Sequence, residues 1–147
     1  MFRIAPLIVL ALVAPVAAQK AAPTGPFATA KSFKCSFPIY DTARWTGTTP
    51  EIFTGTQDFA FQIDAIDYKK GHARIATETG ASLASIVLTQ TGLNVIEPTP
   101  IGNFNLTTVF VAGGKDKTYL AANSRHNGDI TAVPRISQNY GTCELVQ

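Results

Sequence analysis

The stretch Asn139-Tyr140-Gly141-Thr142-Cys143-Glu144, near the end of the 147-residue chain, contains one of the two cysteines in the sequence. Its intrachain partner can only be Cys35, and cysteine pairs in small exported proteins usually form a disulfide. Such a bond would tie the first predicted strand to the last and enclose the strands between them in one covalent ring. In the chain-entropy model, closing a loop of about 100 residues contributes about 4–5 kcal/mol. The alternative is a pair of free buried thiols.

Residues 1–18 have the three parts of a secretory signal peptide. Arg3 supplies the positive charge, residues 7–13 form an apolar run, and Val16-Ala17-Ala18 provides small side chains for cleavage. The apolar run is too short to span a bilayer, and nothing later in the chain is long enough either. We therefore expect a mature chain that begins at Gln19 and is exported to the periplasm or the extracellular space.

Composition favours a packed domain and gives no support for several function classes. Apolar residues make up 46% of the chain and charged residues 15%, which argues against disorder. Without Arg3, 11 Lys and Arg residues stand against 10 Asp and Glu, so the net charge is +1 and nucleic-acid binding is not indicated. Neither the two His nor the two Cys show metal-ligand spacing, and no metal or cofactor is predicted.

Alternation of apolar and polar residues predicts short β-strands. The clearest case is a hairpin that turns at residues 67–71. Its apolar positions share one face, which we expect to face the core: Phe59, Phe61, Ile63, Ala73 and Ile75. Pro38 is expected to end the first strand. Any helix would be a single turn around residues 134–139.

The predicted strands and the turns between them indicate the fold class. Residues 19–31 are predicted to be a flexible leader and residues 47–57 a loop, within a single β domain over residues 32–147. Further strands are predicted at 32–37, 43–46, 83–89, 93–97, 103–111, 118–124, 130–133 and 140–146. Tight turns make neighbouring strands antiparallel. The prediction is an all-β, up-and-down meander that closes into a small calycin-like barrel, with a β-sandwich as the alternative. A disulfide between the terminal strands favours closure, because bonded cysteines need Cα atoms about 5–6 Å apart.

No catalytic motif is convincing. Ser124, His126 and Asp129 could be imagined as a triad, but residues two apart on a strand point the same way without facing each other. The G-x-S-x-G motif of α/β-hydrolases is absent from the sequence. We assign no catalytic residue, and keep a small exported hydrolase or other enzyme, with a site around Arg125 and His126, as the alternative function.

The strand around Arg125 supplies the candidate binding residues. Its two faces are Tyr119, Ala121, Asn123 and Arg125, or Leu120, Ala122, Ser124 and His126, and the pattern does not decide which points inward. If the first set points inward, Arg125 enters a barrel end lined by Tyr119 and Asn123, with Trp45 as the available aromatic partner. In a closed barrel end Arg125 would be a structural plug. In an open one, with Asn123 and His126, it would suit an anionic or polar ligand.

Trp45 and Arg125 are also similar to a feature of the calycin barrels, the lipocalin group. In those barrels a Trp from the first strand stacks on an Arg from the last strand and seals one end. The resemblance implies a contact between Trp45 and Arg125. The chain departs from the pattern because Ala43-Arg44 replaces a Gly-x lead, and because Arg125 lies on the penultimate long strand.

The segments Ser124-Arg125-His126 and Ser137-Gln138-Asn139-Tyr140-Gly141-Thr142-Cys143 resemble the ending of small, uncharacterised secreted bacterial proteins. This resemblance implies export and a common fold, and it carries no activity. Together these observations favour an exported, non-enzymatic β-barrel binding module. Its partner would be a small molecule in the barrel mouth or an envelope protein.

The signal peptide gives the first testable prediction. Exported protein should begin at Gln19, because cleavage after Ala18 removes the charged start and the apolar run together. Intact-mass measurement of protein from the periplasm or medium would check this. Exported material that retained residues 1–18 would contradict it.

Overall fold

The computed structural model describes residues 25–100, 102–129 and 132–146, so the predicted signal peptide lies outside the described residues. Over the described ranges the chain forms nine strands and no helix, which confirms the all-β class. The strands are β1 (Phe33–Thr46), β2 (Thr49–Thr56), β3 (Ala60–Asp67), β4 (His72–Thr77), β5 (Gly80–Leu88), β6 (Gly92–Pro98), β7 (Phe104–Phe110), β8 (Thr118–Asp129) and β9 (Ala132–Leu145).

Eight of these strands close a barrel, which confirms the predicted meander. Strands β3 to β9 pair antiparallel in sequence order, and β1 completes the circle by pairing with both β3 and β9. The sandwich alternative is therefore not the architecture of this chain. Strand β2 is an addition to the barrel, hydrogen-bonded to β1 alone among the described strands.

The barrel has one wall that is taller than the rest. Strands β2 and β3 lie end to end along β1, so that residues 39–46 of β1 pair with β2 and residues 33–36 pair with β3. Strands β1 and β9 each have 14 residues and β8 has 12, whereas β4, β6 and β7 have six or seven. We call the extension formed by β2, residues 39–46 of β1, and the ends of β8 and β9 that pair beside them the tall wall.

Three local predictions fail in the tall wall. The predicted loop at 47–57 contains β2, the predicted helical turn at 134–139 lies within β9, and Pro38 lies inside β1. Both prolines of these long strands sit where the ladder register shifts: Pro38 between Ser36 and Ile39, and Pro134 opposite the shift between Asn127 and Asp129. A β-bulge leaves a residue unpaired, so a proline there interrupts no regular ladder bond.

Residues 25–31, part of the segment predicted to be a flexible leader, pack against the lower end of the barrel. Phe27 is fully buried, with its ring edge-to-face against Phe33 at 5.3 Å and Tyr119 at 4.7 Å between centroids. The Tyr68 hydroxyl donates a hydrogen bond of 2.6 Å to the Phe27 carbonyl oxygen. One large apolar side chain among Ala, Pro and Gly is thus enough to dock the segment.

The interior above Phe27 is filled by apolar side chains. The predicted core face of the β3–β4 hairpin is confirmed, since Phe61, Ile63, Ala73 and Ile75 are buried and Phe59 packs partly buried against them. From the opposite side of the barrel, β6 and β7 contribute further fully or almost fully buried side chains: Leu93, Val95 and Val109.

The disulfide between Cys35 and Cys143 is present, as predicted. The two residues lie directly opposite each other in the β1–β9 ladder, with Cα atoms 4.0 Å apart and both side chains buried. Two residues earlier, β9 passes so close to the β1 bulge that a Cβ atom at Gly141 would clash with the Ser36 carbonyl oxygen. The glycine of the opening stretch therefore permits the close approach of the two strands that the disulfide joins.

Removing the disulfide should destabilise the barrel without changing its topology. Replacing Cys35 and Cys143 together by Ala should lower the free energy of unfolding by about 2–5 kcal/mol, because the unfolded chain regains the freedom that the ring removed. Urea unfolding of the oxidised protein and the variant would measure this, with the reduced wild-type protein as the matched control. Equal stability of all three would contradict the argument.

Tyr68, at the lower end of the barrel, should make the free energy of unfolding decrease at alkaline pH. Burial raises the pKa of Tyr68 to about 12, so the folded state favours the neutral phenol. This contribution is complete below pH of about 10, the ordinary tyrosine value, and is lost as pH rises toward about 12. Unfolding free energy should fall across that window, and fall less in Tyr68→Phe. Parallel pH profiles for the two proteins would show that Tyr68 is not the group responsible.

Candidate functional site

The barrel end opposite Phe27 opens into a polar cleft against the inner face of the tall wall. The cleft has a volume of about 240 Å³. It is lined by three guanidinium groups, three amides and three hydroxyls, contributed by Arg44, Arg125, Arg135, Gln57, Asn127, Asn139, Tyr40, Thr42 and Ser137. We call it the mouth cleft. No carboxylate is among these lining residues.

Strand β8 presents its first predicted face to the interior. Ala121 and Asn123 are buried at 5% and 3% exposure, whereas Leu120 on the other face is 52% exposed. Arg125 is on the inward face and is partly buried. The sequence could not decide this, because the inward face has a polar residue at 123 and the outward face has leucine at 120.

A chain of hydrogen bonds fixes the floor of the mouth cleft. Gln57 Nε2 donates to Asn139 Oδ1 at 2.8 Å. Asn139 Nδ2 donates to the carbonyl oxygen and the Oδ1 of Asn123, at 2.9 and 3.0 Å. Asn123 Nδ2 donates in turn to Thr107 Oγ1 at 2.9 Å. These bonds explain how two amide side chains can be buried, and they hold the floor in one arrangement.

Arg125 stands on this floor with one face of its guanidinium covered by an aromatic ring. The centre of its guanidinium lies 5.2 Å from the centroid of the Phe59 ring. Its Nε atom is buried and has no hydrogen-bond partner among the described residues. The stacking on an aromatic ring is the feature of a plug, while the place of Arg125 in the lining of the mouth cleft is the feature of a binding site.

Trp45 does not belong to the mouth cleft. The bulge between Ser36 and Ile39 adds one residue to β1. Odd-numbered residues such as Phe37 therefore point inward before the bulge, and the even-numbered Thr42 and Arg44 point inward after it. Trp45 therefore shares the outward face of β1 and pairs with Pro50 of β2. The aromatic ring under Arg125 is that of Phe59, in place of the contact with Trp45 that the calycin resemblance implied.

The other candidate residues are distributed over three places. Tyr119 contacts Phe27 at the closed end, six residues along β8 from Arg125 and so about 20 Å away. His126 is exposed on the outer face, where its ring stacks on Phe104 with centroids 5.0 Å apart. Only Asn123 and Arg125 lie together at the mouth cleft.

The outer face nevertheless contains one contact that the sequence argument excluded. Ser124 Oγ and His126 Nε2 are 3.1 Å apart, so residues two apart on this strand do meet. The expectation was wrong because it considered the directions of the Cα–Cβ bonds and not the reach of the imidazole. The side chain of Asp129 lies outside the described part of the chain. Because Arg125 points to the opposite face, Arg125 and His126 do not form one site.

Sequence analysis missed most of the lining residues. Arg135, Ser137 and Asn139 alternate with Ile136, Gln138 and Tyr140, and this polar period-two pattern was the available signal. A predicted helical turn at 134–139 concealed it. The β1 residues of the cleft were concealed by the bulge, and Gln57 by its place at the end of a predicted loop.

Within residues 25–100, 102–129 and 132–146, no group of three or more His, Cys, Asp or Glu side chains is placed to hold a metal ion. Nor does any helix in that part of the chain have the length and apolar character needed to cross a bilayer.

Comparison with known proteins gives no family assignment. No protein-family model matches the sequence, and no curated protein matches it. Functional inference therefore depends on the geometry of the mouth cleft and of the surfaces around it.

Proposed function

We propose that this protein is an exported, non-enzymatic β-barrel module that binds a small ligand in the mouth cleft. The observation that carries the proposal is the set of nine polar side chains that converge on one open cleft. Polar side chains at a barrel end normally point to solvent or satisfy one another. Here three guanidinium groups line one cleft and no acidic side chain is among the lining residues, a grouping that suits a polar or charged ligand.

The position and size of the cleft limit what can bind. Leu93, Val95 and Val109 fill the barrel interior, so the ligand would sit at the mouth and not inside. A volume of about 240 Å³ is below the range of about 300–1,000 Å³ typical of pockets for drug-sized molecules. A small molecule, or one end of a larger one, matches this size.

The supporting structure favours binding with little rearrangement. The lining residues lie mainly on β1, β8 and β9, which are long paired strands, and the amide chain from Gln57 to Thr107 fixes the floor. Side chains held in one arrangement before binding lose little entropy when the ligand arrives.

The chemistry of the lining supports binding over catalysis. Among the lining residues there is no His, Cys or carboxylate to act as a base or nucleophile near neutral pH. The hydroxyls of Tyr40, Thr42 and Ser137 have no such base among these neighbours. Export is supported by the predicted signal peptide and by the disulfide, since disulfides persist mainly in oxidising compartments.

A second candidate function, binding of an envelope protein, is supported by the free edge of β2. Seven of its eight residues are exposed and the eighth, Gly55, is half-buried, with Ile52 at 71% exposure. Among the described strands only β1 pairs with it. An unpaired edge can accept an extended segment of another protein as an added strand.

One experiment separates the two candidates. Isotope-labelled protein purified after export would be mixed separately with the low-molecular-mass and the protein fractions of an envelope extract, and backbone amide shifts would be followed by NMR. We expect the low-mass fraction to shift residues around Arg125, Ser137 and Asn139. Shifts confined to β2 with the protein fraction would favour the second function, and no shift with either would refute both.

A further inference from the structure

We infer that the mouth cleft binds a small, multiply charged oxyanion of the phosphate or dicarboxylate type, and that Arg125 is its anchor. This inference rests on the proposed function of the cleft as a ligand site. It adds the chemical class of the ligand and the residue that recognises it.

The charges of the cleft are unbalanced. Arg44, Arg125 and Arg135 line it together, and no lining side chain is acidic. By contrast, Arg74 on the outer surface donates hydrogen bonds to Asp64 at 2.7 and 2.8 Å. Among the described residues, no carboxylate lies within 4.0 Å of Arg44 or Arg125. Clustered guanidinium groups repel one another, and an anion bound between them would offset that repulsion.

The acidic residues nearest in the strand ladders are engaged elsewhere. Glu97 accepts hydrogen bonds from Asn105 Nδ2 at 2.8 Å and from Ser82 Oγ. Asn105 lies between Glu97 and Arg125 in the strand ladders. Glu51, opposite Arg44, accepts a hydrogen bond of 3.2 Å from Thr46 Oγ1. Neither carboxylate neutralises Arg125, so the charge of that guanidinium is available to a ligand.

The orientation of Arg125 selects for oxygen-bearing anions. Phe59 covers one face of the guanidinium, so hydrogen-bond partners of Arg125 must lie in the guanidinium plane, along its edge. The N–H groups along that edge match two oxygens of a carboxylate or phosphate, which a single point charge does not do.

Neighbouring positions can serve the remaining oxygens. Ser137 lies directly opposite Arg125 in the β8–β9 ladder. A ligand at Arg125 would therefore lie beside the Ser137 hydroxyl, with Arg44 and Arg135 along the rim. Two further cations favour a ligand with more than one negative charge over a monocarboxylate.

Calorimetric titration of the exported protein at constant ionic strength would test the inference. Inorganic phosphate and succinate would be compared with acetate, which has one charge, and with glycerol, which has none. We expect phosphate or succinate to bind at least about tenfold more tightly than acetate, and glycerol not to bind. If phosphate binds more tightly than succinate, the ligand is of the phosphate type, and the reverse order indicates a dicarboxylate.

Variants would assign the anchor. Arg125→Met should lower affinity for the tighter probe at least about tenfold, as expected when charge-assisted hydrogen bonds are lost. Arg125→Lys should lower it less, because the charge remains while the planar fork is gone. Lys115→Met, which removes one charge from the exposed turn before β8, should leave affinity unchanged. If Arg125→Met does not fold, the variant Arg135→Met, at an exposed position, should still weaken binding of the probe.

The outcomes separate this inference from the proposed function. Equal binding of acetate and phosphate, or full affinity in Arg125→Met, would overturn the anion assignment. If a neutral compound from the envelope extract then changes the amide shifts of the cleft residues, the proposed function stands without the anion assignment. If nothing shifts those residues, the proposed function fails as well.

Discussion

The pairing of β1 with β9, locked by the bond between Cys35 and Cys143, is the constraint on which the rest of the structure depends. A meander of antiparallel strands can remain open, and its two edges would then be exposed to other chains. Joining the first and last strands removes both edges from the barrel and brings the ends of a long chain segment together. The side chains that face inward from all eight strands then share one core.

The same pairing decides which side chains reach the mouth cleft. At Phe37 and Pro38 the β1 strand bulges against β9, and beyond the bulge its inward and outward faces are exchanged. Apolar residues such as Phe33 and Phe37 point inward below the bulge, and Thr42 and Arg44 point inward above it. One added residue therefore converts a strand with an apolar inner face into a strand with a polar inner face, and the barrel changes character along its axis.

The two ends of the barrel differ in the same way. At the lower end, Phe27 fills the opening and its carbonyl group is satisfied by Tyr68, so that end is closed by the chain itself. At the upper end, the amide chain ending in Asn123 and Thr107 satisfies the floor, and Arg125 lies above it in the lining of the mouth cleft. Apolar side chains fill the interior between the two ends.

The alternation of apolar and polar residues correctly predicted the core side of strands that have one apolar and one polar face. It placed Phe61 and Ile75 on the core side of the β3–β4 hairpin, and the structure buries both. It failed for β2, where Pro50 and Gly55 have weak strand propensity and the extended form follows from pairing along β1. It also failed at Arg125, where the choice of inward face depends on hydrogen bonds that reach Asn123 from β7 and β9.

By itself, the sequence determined the all-β class, the antiparallel meander and the only disulfide the chain can form. These follow from short-range alternation, from turn residues and from the presence of two cysteines, none of which requires knowledge of distant neighbours. Only the tertiary structure decided the position of the β1 bulge, the docking of Phe27, and the convergence of Arg44, Arg125 and Arg135. Each of these depends on register between strands far apart in the chain, and a shift of one residue in register exchanges the two faces of a strand.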